Sequence, residues 1–283
     1  MEIMETIEEI AAFAEEEKRS GRGIALVPTM GALHEGHLSL VDKAKKLADT
    51  VVLSIFLNPT QFAQNEDLDK YPKTWNEDLN ACENRGVDAL FAPTSLEMYP
   101  DGPQSTWVIV EEITEFLCGA SRPTHFRGVA TVVAKLFNIV RPDVAVFGEK
   151  DYQQTLIIKK MVRELNFHVE IATAPIVREH DGLAMSSRNK LLTRENRKKA
   201  VAINKALDNA VKAAAQGTKD IDKLKNAISR TIEESGATLD YVEISDAETL
   251  TPLKRLDKTA VAAVAAKYGD VRLIDNAILK HGI

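Results

Sequence analysis

Two histidines three residues apart are the side chains best suited to catalysis in this sequence. An apolar run at residues 24–27 predicts a buried parallel strand before them, and apolar residues after them recur at helical spacing. His34 and His37 therefore fall at a strand-to-helix turn, where unpaired backbone N–H groups and the helix dipole favour a phosphate. On one face of the first helical turn, both imidazoles would donate to a phosphate in transfer. The pattern indicates a site for a nucleotide's α-phosphate.

A simpler interpretation is that the two histidines only cap a helix, since short motifs of the His-x-Gly-His kind also arise by chance. The position of this motif between a predicted strand and a predicted helix favours nucleotide binding. Gly36, which has no Cβ, would let a ligand approach the backbone between the two imidazoles.

A second group of polar residues, 148–154, follows another predicted strand at 144–147. Lys150 is suited to neutralise phosphate oxygens, and the Gln154 amide to donate to a carboxylate or hydroxyl. A solvated lysine and a surface glutamine are the alternative. Gln61 follows the predicted strand 51–57, and because ligands bind beyond the carboxyl ends of strands in open α/β sheets, we expect it near His34.

The third group, Met185-Ser186-Ser187-Arg188, offers two hydroxyls and a guanidinium, which together suit a phosphate. The alternative is an ordinary polar loop. No Gly-x-Ser-x-Gly surrounds the serines, which argues against a hydrolase nucleophile. The sequence also lacks a P-loop, so another arrangement must hold any phosphates.

The composition of the 283 residues is that of a globular protein, with 45% hydrophobic and 28% charged residues. The net charge of −6 argues against long nucleic acid as a partner. The cysteines, Cys82 and Cys118, have no zinc-ligand spacing and are too few for a disulfide framework. Neither a signal peptide nor a membrane-spanning run is recognisable, so we expect no membrane association and a cytoplasmic location.

Strands alternating with helices predict an α/β fold, a Rossmann-like doubly wound parallel sheet, over residues 1–175. Residues 176–283 read as a smaller α+β domain. Its expected elements are helices at 193–216 and 220–235 and strands at 240–245 and 259–267. Three local features are also predicted in the first domain. Ile3 is expected on the apolar face of an N-terminal helix, Thr74 and Glu77 are expected to form a capping box, and residues 107–110 are a possible strand.

Five segments in a fixed order carry a resemblance to one family. Residues 28–37, 58–62, 122–129, 147–154 and 185–189 together resemble pantothenate synthetase, also called pantoate–β-alanine ligase. The first segment also resembles the His-Ile-Gly-His signature of class I aminoacyl-tRNA synthetases and related nucleotidyltransferases. Where synthetases carry Lys-Met-Ser-Lys-Ser, this chain has Ala184-Met185-Ser186-Ser187-Arg188, in which Arg188 is the basic residue.

The resemblance implies that ATP and (R)-pantoate form pantoyl adenylate and pyrophosphate, and that β-alanine then displaces AMP to give pantothenate. It implies that His34, His37 and Lys150 are catalytic residues, with His37 as the proton donor. It also implies that Gln61 and Gln154 bind pantoate and that Gln61 binds β-alanine. The residues it implies for ATP binding are Met30, Gly31, Ala32, Leu33, His34, Glu35, Gly36, His37, Gly148, Glu149, Lys150, Asp151, Val177, Met185, Ser186, Ser187 and Arg188.

Mg²⁺ is expected to enter with ATP, without a protein ligand that the sequence identifies. The family is commonly a homodimer, so a homodimer is expected. The reactive adenylate needs protection from water, which predicts that the C-terminal domain, or the loop after Gln61, closes over the site.

Three other functions fit parts of the pattern. An adenylyltransferase with the same histidine turn would release pyrophosphate but no AMP. A tRNA synthetase fits the acidic composition poorly. A regulatory nucleotide-binding module would be expected to have lost part of the site, whereas both histidines, Lys150, both serines and Arg188 are present.

Overall fold

The computed structural model describes residues 1–63, 68–102 and 104–280. Its strands are β1 (Glu2–Met4), β2 (Ile24–Thr29), β3 (Thr50–Ile55), β4 (Ala89–Phe91), β5 (Val144–Gly148), β6 (Glu170–Ala174), β7 (Thr238–Asp246), β8 (Ala260–Tyr268) and β9 (Val271–Leu279). Its α-helices are α1 (Ile7–Arg19), α2 (Glu35–Ala44), α3 (Trp75–Arg85), α4 (Ser95–Met98), α5 (Leu117–Ser121), α6 (His125–Val140), α7 (Tyr152–Glu164), α8 (Arg194–Lys199), α9 (Ala202–Ala215) and α10 (Ile221–Glu234).

The described chain divides into two compact units. The first comprises Met1–Glu111, Arg122–Glu149 and Gln154–Pro175, and the second comprises Glu112–Ser121, Lys150–Gln153 and Ile176–Ile283. The domain limits 1–175 and 176–283 stay a prediction, since two short segments before residue 176 group with the second unit.

The first unit is built on a parallel sheet with the strand order β1-β4-β3-β2-β5-β6 in the described residues. Both faces of its central strands are covered, and residues 24–27 of β2 are fully buried, which is why these strands read as continuous apolar runs. α2 packs Leu40, Val41 and Ala44 against this sheet. The predicted Rossmann-like doubly wound sheet is confirmed.

The second unit is built on an antiparallel sheet with the order β7-β8-β9. The small apolar residues of β8 are buried, and α9 and α10 contribute Leu207, Ile228 and Ile232 to the same core. The predicted smaller α+β region is therefore present, and β9 is a strand that the sequence analysis did not predict.

Two predictions near helix starts are wrong. Ile3, expected in a helical stripe, lies instead in β1, which pairs with β4, and α1 begins only at Ile7. Thr74 precedes α3, but its side chain makes no capping hydrogen bond to the helix backbone. Its hydroxyl instead donates to Asp78 at 3.1 Å, so the capping box with Glu77 does not form.

Two further predictions also differ from the structure. Residues 107–110 form no strand, because the N–H of Val108 donates to the side chain of Thr131 at 2.9 Å and not to a neighbouring strand. The single helix expected at 193–216 is two helices, α8 and α9, separated by Ala200 and Val201. None of the helices within the described ranges is long and apolar enough to cross a membrane.

Candidate active site

Three predicted site segments follow the carboxyl ends of three adjacent strands in the first unit. β2 lies between β3 and β5 in the sheet. His34 follows β2, Gln61 follows β3 and Glu149 follows β5. The chain builds β3 and β4 on one side of β2 and then crosses to β5 and β6, so the strand order reverses between β2 and β5. Ligands of open α/β sheets bind outside the carboxyl ends of strands at such a switch point.

The imidazoles of His34 and His37 stack on each other at the start of α2. Their ring centroids are 4.1 Å apart, with an angle of 29° between the ring planes. His34 is the N-cap, and its Nδ1 accepts a hydrogen bond from the Gly36 N–H at 3.1 Å. The neutral His34 ring therefore carries its proton on Nε2.

The first backbone N–H groups of α2 already have acceptors within the turn. The N–H groups of His37 and Leu38 donate to the carbonyl of His34 at 2.8 and 3.1 Å, in addition to the Gly36 contact with the ring. The phosphate-binding role expected of these N–H groups and of the two imidazoles stays a prediction.

The turn before His34 is held by a buried carboxylate on α3. Asp78 accepts hydrogen bonds from the N–H groups of Ala32 and Leu33, both at 2.8 Å. Gly31 and Ala32 have φ angles of 81° and 51°, a left-handed pair that aims successive N–H groups at one anion. A Cβ on Gly31 would lie 3.1 Å from Asp78 Oδ2. The turn thus requires both the glycine and the aspartate.

Gln61 lies on a short 3-10 turn, Pro59–Gln61, with its amide oriented by neighbours. Asn58 Nδ2 donates to Gln61 Oε1 at 3.1 Å, and Gln61 Nε2 lies 2.9 Å from Met30 Sδ. Tyr99 in turn donates to Asn58 Oδ1 at 2.8 Å, and burial raises the pKa of Tyr99, which keeps this donor protonated. Met30 and Gln61, predicted for ATP and pantoate, are therefore neighbours.

The start of α6 packs directly on the backbone of the Gln61 turn. His125 Nδ1 lies 2.8 Å from the Gln61 carbonyl oxygen, which only accepts, so Nδ1 carries the proton in this contact. Arg122 Nη2 donates to the same oxygen at 3.4 Å. A Cβ on Gly128 would lie 2.5 Å from the Thr60 oxygen and 2.6 Å from the Gln61 nitrogen. Only glycine allows this approach.

Two more predicted residues of the first unit lie beyond β5. Glu149 accepts a hydrogen bond from Thr173 at 3.0 Å, which ties the end of β5 to β6. Gln154 is half-buried on α7, and its pantoate-binding role stays a prediction. Residues 64–67, in the loop expected to close after Gln61, lie outside the described residues.

The second unit carries Lys150, Asp151, Val177 and the Met185–Arg188 segment. Val177 and Met185 are brought together, because the Met185 N–H donates to the Val177 carbonyl at 3.0 Å across a tight hairpin. Ser186 then caps the 3-10 turn Ser187–Leu191, and its hydroxyl accepts from the Arg188 N–H at 3.3 Å. Lys150 is half-buried in the 3-10 turn Glu149–Asp151.

A protein-bound metal ion requires a grouping of suitable side chains. In residues 1–63, 68–102 and 104–280, no three His, Cys, Asp or Glu side chains are grouped so that they could hold a metal ion. Both carboxylate oxygens of the buried Asp78 are already used by backbone donors.

Sequence reasoning missed the residues that support the site. Asn58, Asp78 and Gly128 touch the predicted ligand-binding turns but were not among the candidate residues. Asn58 and Gly128 lie in segments that carried the family resemblance, which was the available signal. Asp78 had no such signal, because its backbone partners lie 46 and 45 residues earlier in the chain.

Comparison with known proteins gives one consistent result. The family model described as pantoate-beta-alanine ligase matches residues 2–278. Pantothenate synthetase of Acetivibrio thermocellus is 53% identical over 281 residues, covering 99% of this chain and 100% of the relative, and that of Moorella thermoacetica is 50% identical over 281 residues, covering 99% of each.

Solved structures agree with these sequence relatives. Pantothenate synthetase from Thermus thermophilus has a TM-score of 0.93 at 44% identity, covering 98% of this chain and 99% of that one. Pantoate-beta-alanine ligase from Francisella tularensis, complexed with "Beta-gamma ATP" and β-alanine, has a TM-score of 0.83 at 36% identity, covering 98% and 97%.

Proposed function

The chain belongs to the pantoate–β-alanine ligase family, and we propose that it forms pantothenate through a pantoyl adenylate made at the carboxyl ends of β2, β3 and β5. The enzyme condenses pantoate with β-alanine at the expense of ATP. The main support for this location is the stacked His34–His37 pair, which lies where the strand order reverses between β2 and β5.

In the first step, a pantoate carboxylate oxygen attacks the α-phosphorus of ATP, and the bond to pyrophosphate breaks. Negative charge then grows on the phosphate oxygens, where preorganised donors lower the barrier, each by about 3 kcal/mol. We assign this role to His34, His37 and Lys150, supported by the residues 186–188. His37 acts as the proton donor, which an imidazole can do near neutral pH.

In the second step, the neutral amine nitrogen of β-alanine attacks the acyl carbon, the bond to AMP breaks, and the proton lost by the amine passes to solvent water. Gln61 and Gln154 hold pantoate, because neutral amides offer donors and acceptors to its hydroxyls and carboxylate. Gln61 also contacts β-alanine. The hydrogen bond from Asn58 supports this proposal, since it orients the Gln61 amide before any ligand binds.

The remaining parts of the proposal concern ATP and its surroundings. ATP binds to residues 30–37, 148–151, Val177 and 185–188. Mg²⁺ would arrive with ATP as part of the substrate and would neutralise its phosphates. Three further proposals remain. The family resemblance suggests a homodimer, and the sequence suggests a cytoplasmic location. The reactivity of the adenylate suggests closure by residues 176–283 or by the loop after Gln61.

Product analysis tests this function against the nearest rival. Purified protein is incubated with ATP, Mg²⁺, pantoate and β-alanine, and nucleotides are separated by chromatography. The proposal predicts AMP and pyrophosphate in equal amounts with pantothenate. An adenylyltransferase would release pyrophosphate without free AMP, and ADP with phosphate would exclude an adenylate intermediate.

A further inference from the structure

Two adjacent polar residues are buried in the middle of β9. Asp275 and Asn276 are 3% and 6% exposed, in a strand whose neighbours Leu273 and Leu279 belong to the core. Successive strand residues point to opposite faces, so the two side chains leave the sheet in opposite directions. A buried polar group is costly unless it is hydrogen-bonded, and the partners of this pair therefore identify its role.

Asn276 contacts the residue proposed to neutralise the ATP phosphates. Its Nδ2 donates to the backbone carbonyl oxygen of Lys150 at 3.0 Å, across 126 residues of sequence. The hydrogen bond fixes the peptide plane that follows the Lys150 Cα, and so limits the directions in which the ammonium group can point. Lys150 sits in the single 3-10 turn Glu149–Asp151, a short element.

Asp275 holds the hairpin that carries the other ATP segment of the second unit. Its carboxylate accepts from Arg178 Nη1 at 2.7 Å and from Nη2 at 3.1 Å, a bidentate charged pair. Arg178 Nη1 also donates to the Gly182 carbonyl at 3.1 Å, across the tip of the hairpin. Val177 and Met185 are paired at the base of this hairpin, so the ion pair fixes the position of Met185, the first residue of the Met185–Arg188 segment.

We propose that Asn276 and Asp275 are positioning residues for catalysis, with Asn276 orienting Lys150 and Asp275 fixing the hairpin that leads into Met185–Arg188. The inference rests on the proposed function, since it uses the ATP-binding roles of those two segments. β9 thus positions two separate segments that are proposed to bind the ATP phosphates, one from each of its faces. Neither residue touches a reacting atom.

A double-mutant experiment tests the Asn276 part. Pantoate-dependent exchange of labelled pyrophosphate into ATP is measured for Asn276→Ala, Lys150→Ala and the double variant, with thermal unfolding of each. Ile278→Ala, on the same face of β9 and exposed, is the control. Asn276→Ala is expected to lower exchange about tenfold, and the loss of one buried hydrogen bond is expected to lower the unfolding midpoint by a few degrees while the protein stays folded in the assay. In the Lys150→Ala background it should lower exchange by less than about twofold.

The outcomes separate this inference from the proposed function. Equal losses from Asn276→Ala in both backgrounds would show a structural role and overturn it. Normal exchange in Asn276→Ala with impaired Lys150→Ala would overturn the inference alone. Normal exchange in Lys150→Ala would overturn the Lys150 assignment and the inference with it. If Asn276→Ala does not fold, Asn276→Asp, of the same shape without the donor, takes its place.

The Asp275 part is tested through the KM values of the substrates. Asp275→Asn keeps one acceptor for Arg178 and loses the other. The expected result is an about fivefold higher KM for ATP with an unchanged KM for β-alanine. Asp240→Asn, which weakens a different Arg–Asp pair of the same unit, is the matched control and should change neither. Equal increases in both KM values, or no change, would overturn this part.

Discussion

Asp78 Oδ2 lies 2.8 Å from the backbone nitrogen of Ala32, and this hydrogen bond joins α3 to the turn that leads into α2. The second carboxylate oxygen bonds the next N–H along the chain, that of Leu33. Asp78 is buried, so water does not substitute for either contact. The position of the His34–His37 pair therefore depends on a carboxylate that is not itself expected to touch substrate.

Asp78→Asn is predicted to lower turnover at least tenfold. An asparagine amide offers one acceptor, and its NH₂ group would face one of the two N–H donors. The lost contact should cost about 1–3 kcal/mol of stability, and the shifted turn should misplace the histidines. Steady-state kinetics and urea unfolding measure both effects. Glu83→Gln, at an exposed position of α3, is the control, and wild-type turnover in Asp78→Asn would contradict the assignment.

Gly128→Ala is predicted to weaken pantoate binding. The added Cβ would lie 2.5–2.6 Å from the backbone of Thr60 and Gln61, so the Gln61 turn must move. We expect the KM for pantoate to rise about tenfold with little change in the KM for ATP. Asn138→Ala, an exposed change on the same helix, should leave both KM values unaltered. An unchanged pantoate KM in Gly128→Ala would argue against Gln61 as a pantoate ligand.

His37→Ala and Lys150→Ala are each predicted to lose most turnover while the chain stays folded. Loss of one preorganised donor to the developing phosphate charge costs about 3 kcal/mol, or roughly a hundredfold in rate. Circular dichroism checks the fold, and AMP release measures turnover. His168→Ala and Lys159→Ala, both exposed, serve as matched controls. Near wild-type turnover in either site variant would remove that residue from the mechanism.

Ionisation of the Glu17 carboxylate is predicted to make the free energy of unfolding depend on pH in the acidic range. The Arg22 guanidinium donates to its carboxylate at 2.7 and 2.5 Å, and the pKa of Glu17 falls from 4.5 to about 2. The lowered folded-state pKa means that this stabilisation is present above about pH 4.5 and is lost as pH falls toward 2.

Glu17→Gln should accordingly lower the free energy of unfolding at pH 7, with a smaller difference from wild type at pH 3. Urea unfolding at the two pH values measures this change. Glu8→Gln, an exposed substitution on α1, is expected to show little difference at either pH. A Glu17→Gln deficit that is equal at pH 7 and pH 3 would contradict the assigned pKa.

Residues buried on both faces were predictable from the sequence, and residues whose partners are distant were not. β2, β3 and β5 were expected because central parallel strands are continuous apolar runs. β1 was missed because three residues carry too little periodicity, and its pairing partner β4 lies far along the chain. β9 was missed because Asp275 and Asn276 interrupt its apolar pattern, and they are tolerated there only because Arg178 and Lys150 satisfy them.

The candidate site shows the same division. The histidine turn was predictable because its chemistry and its strand-to-helix context are local. The role of Asp78 was not, since Thr74 looked like a helix cap from the sequence, whereas its hydroxyl supports the carboxylate that holds a turn more than 40 residues upstream. The local sequence identifies candidate catalytic side chains here, and only the tertiary structure identifies what holds them.

Pantoate-dependent exchange of labelled pyrophosphate into ATP tests the central claim most directly. The purified protein is incubated with ATP, Mg²⁺ and labelled pyrophosphate, with and without pantoate and in the absence of β-alanine. Formation of pantoyl adenylate predicts exchange only when pantoate is present, and little exchange in His37→Ala. Absence of exchange with pantoate, or equal exchange without it, would contradict an adenylate intermediate made from pantoate.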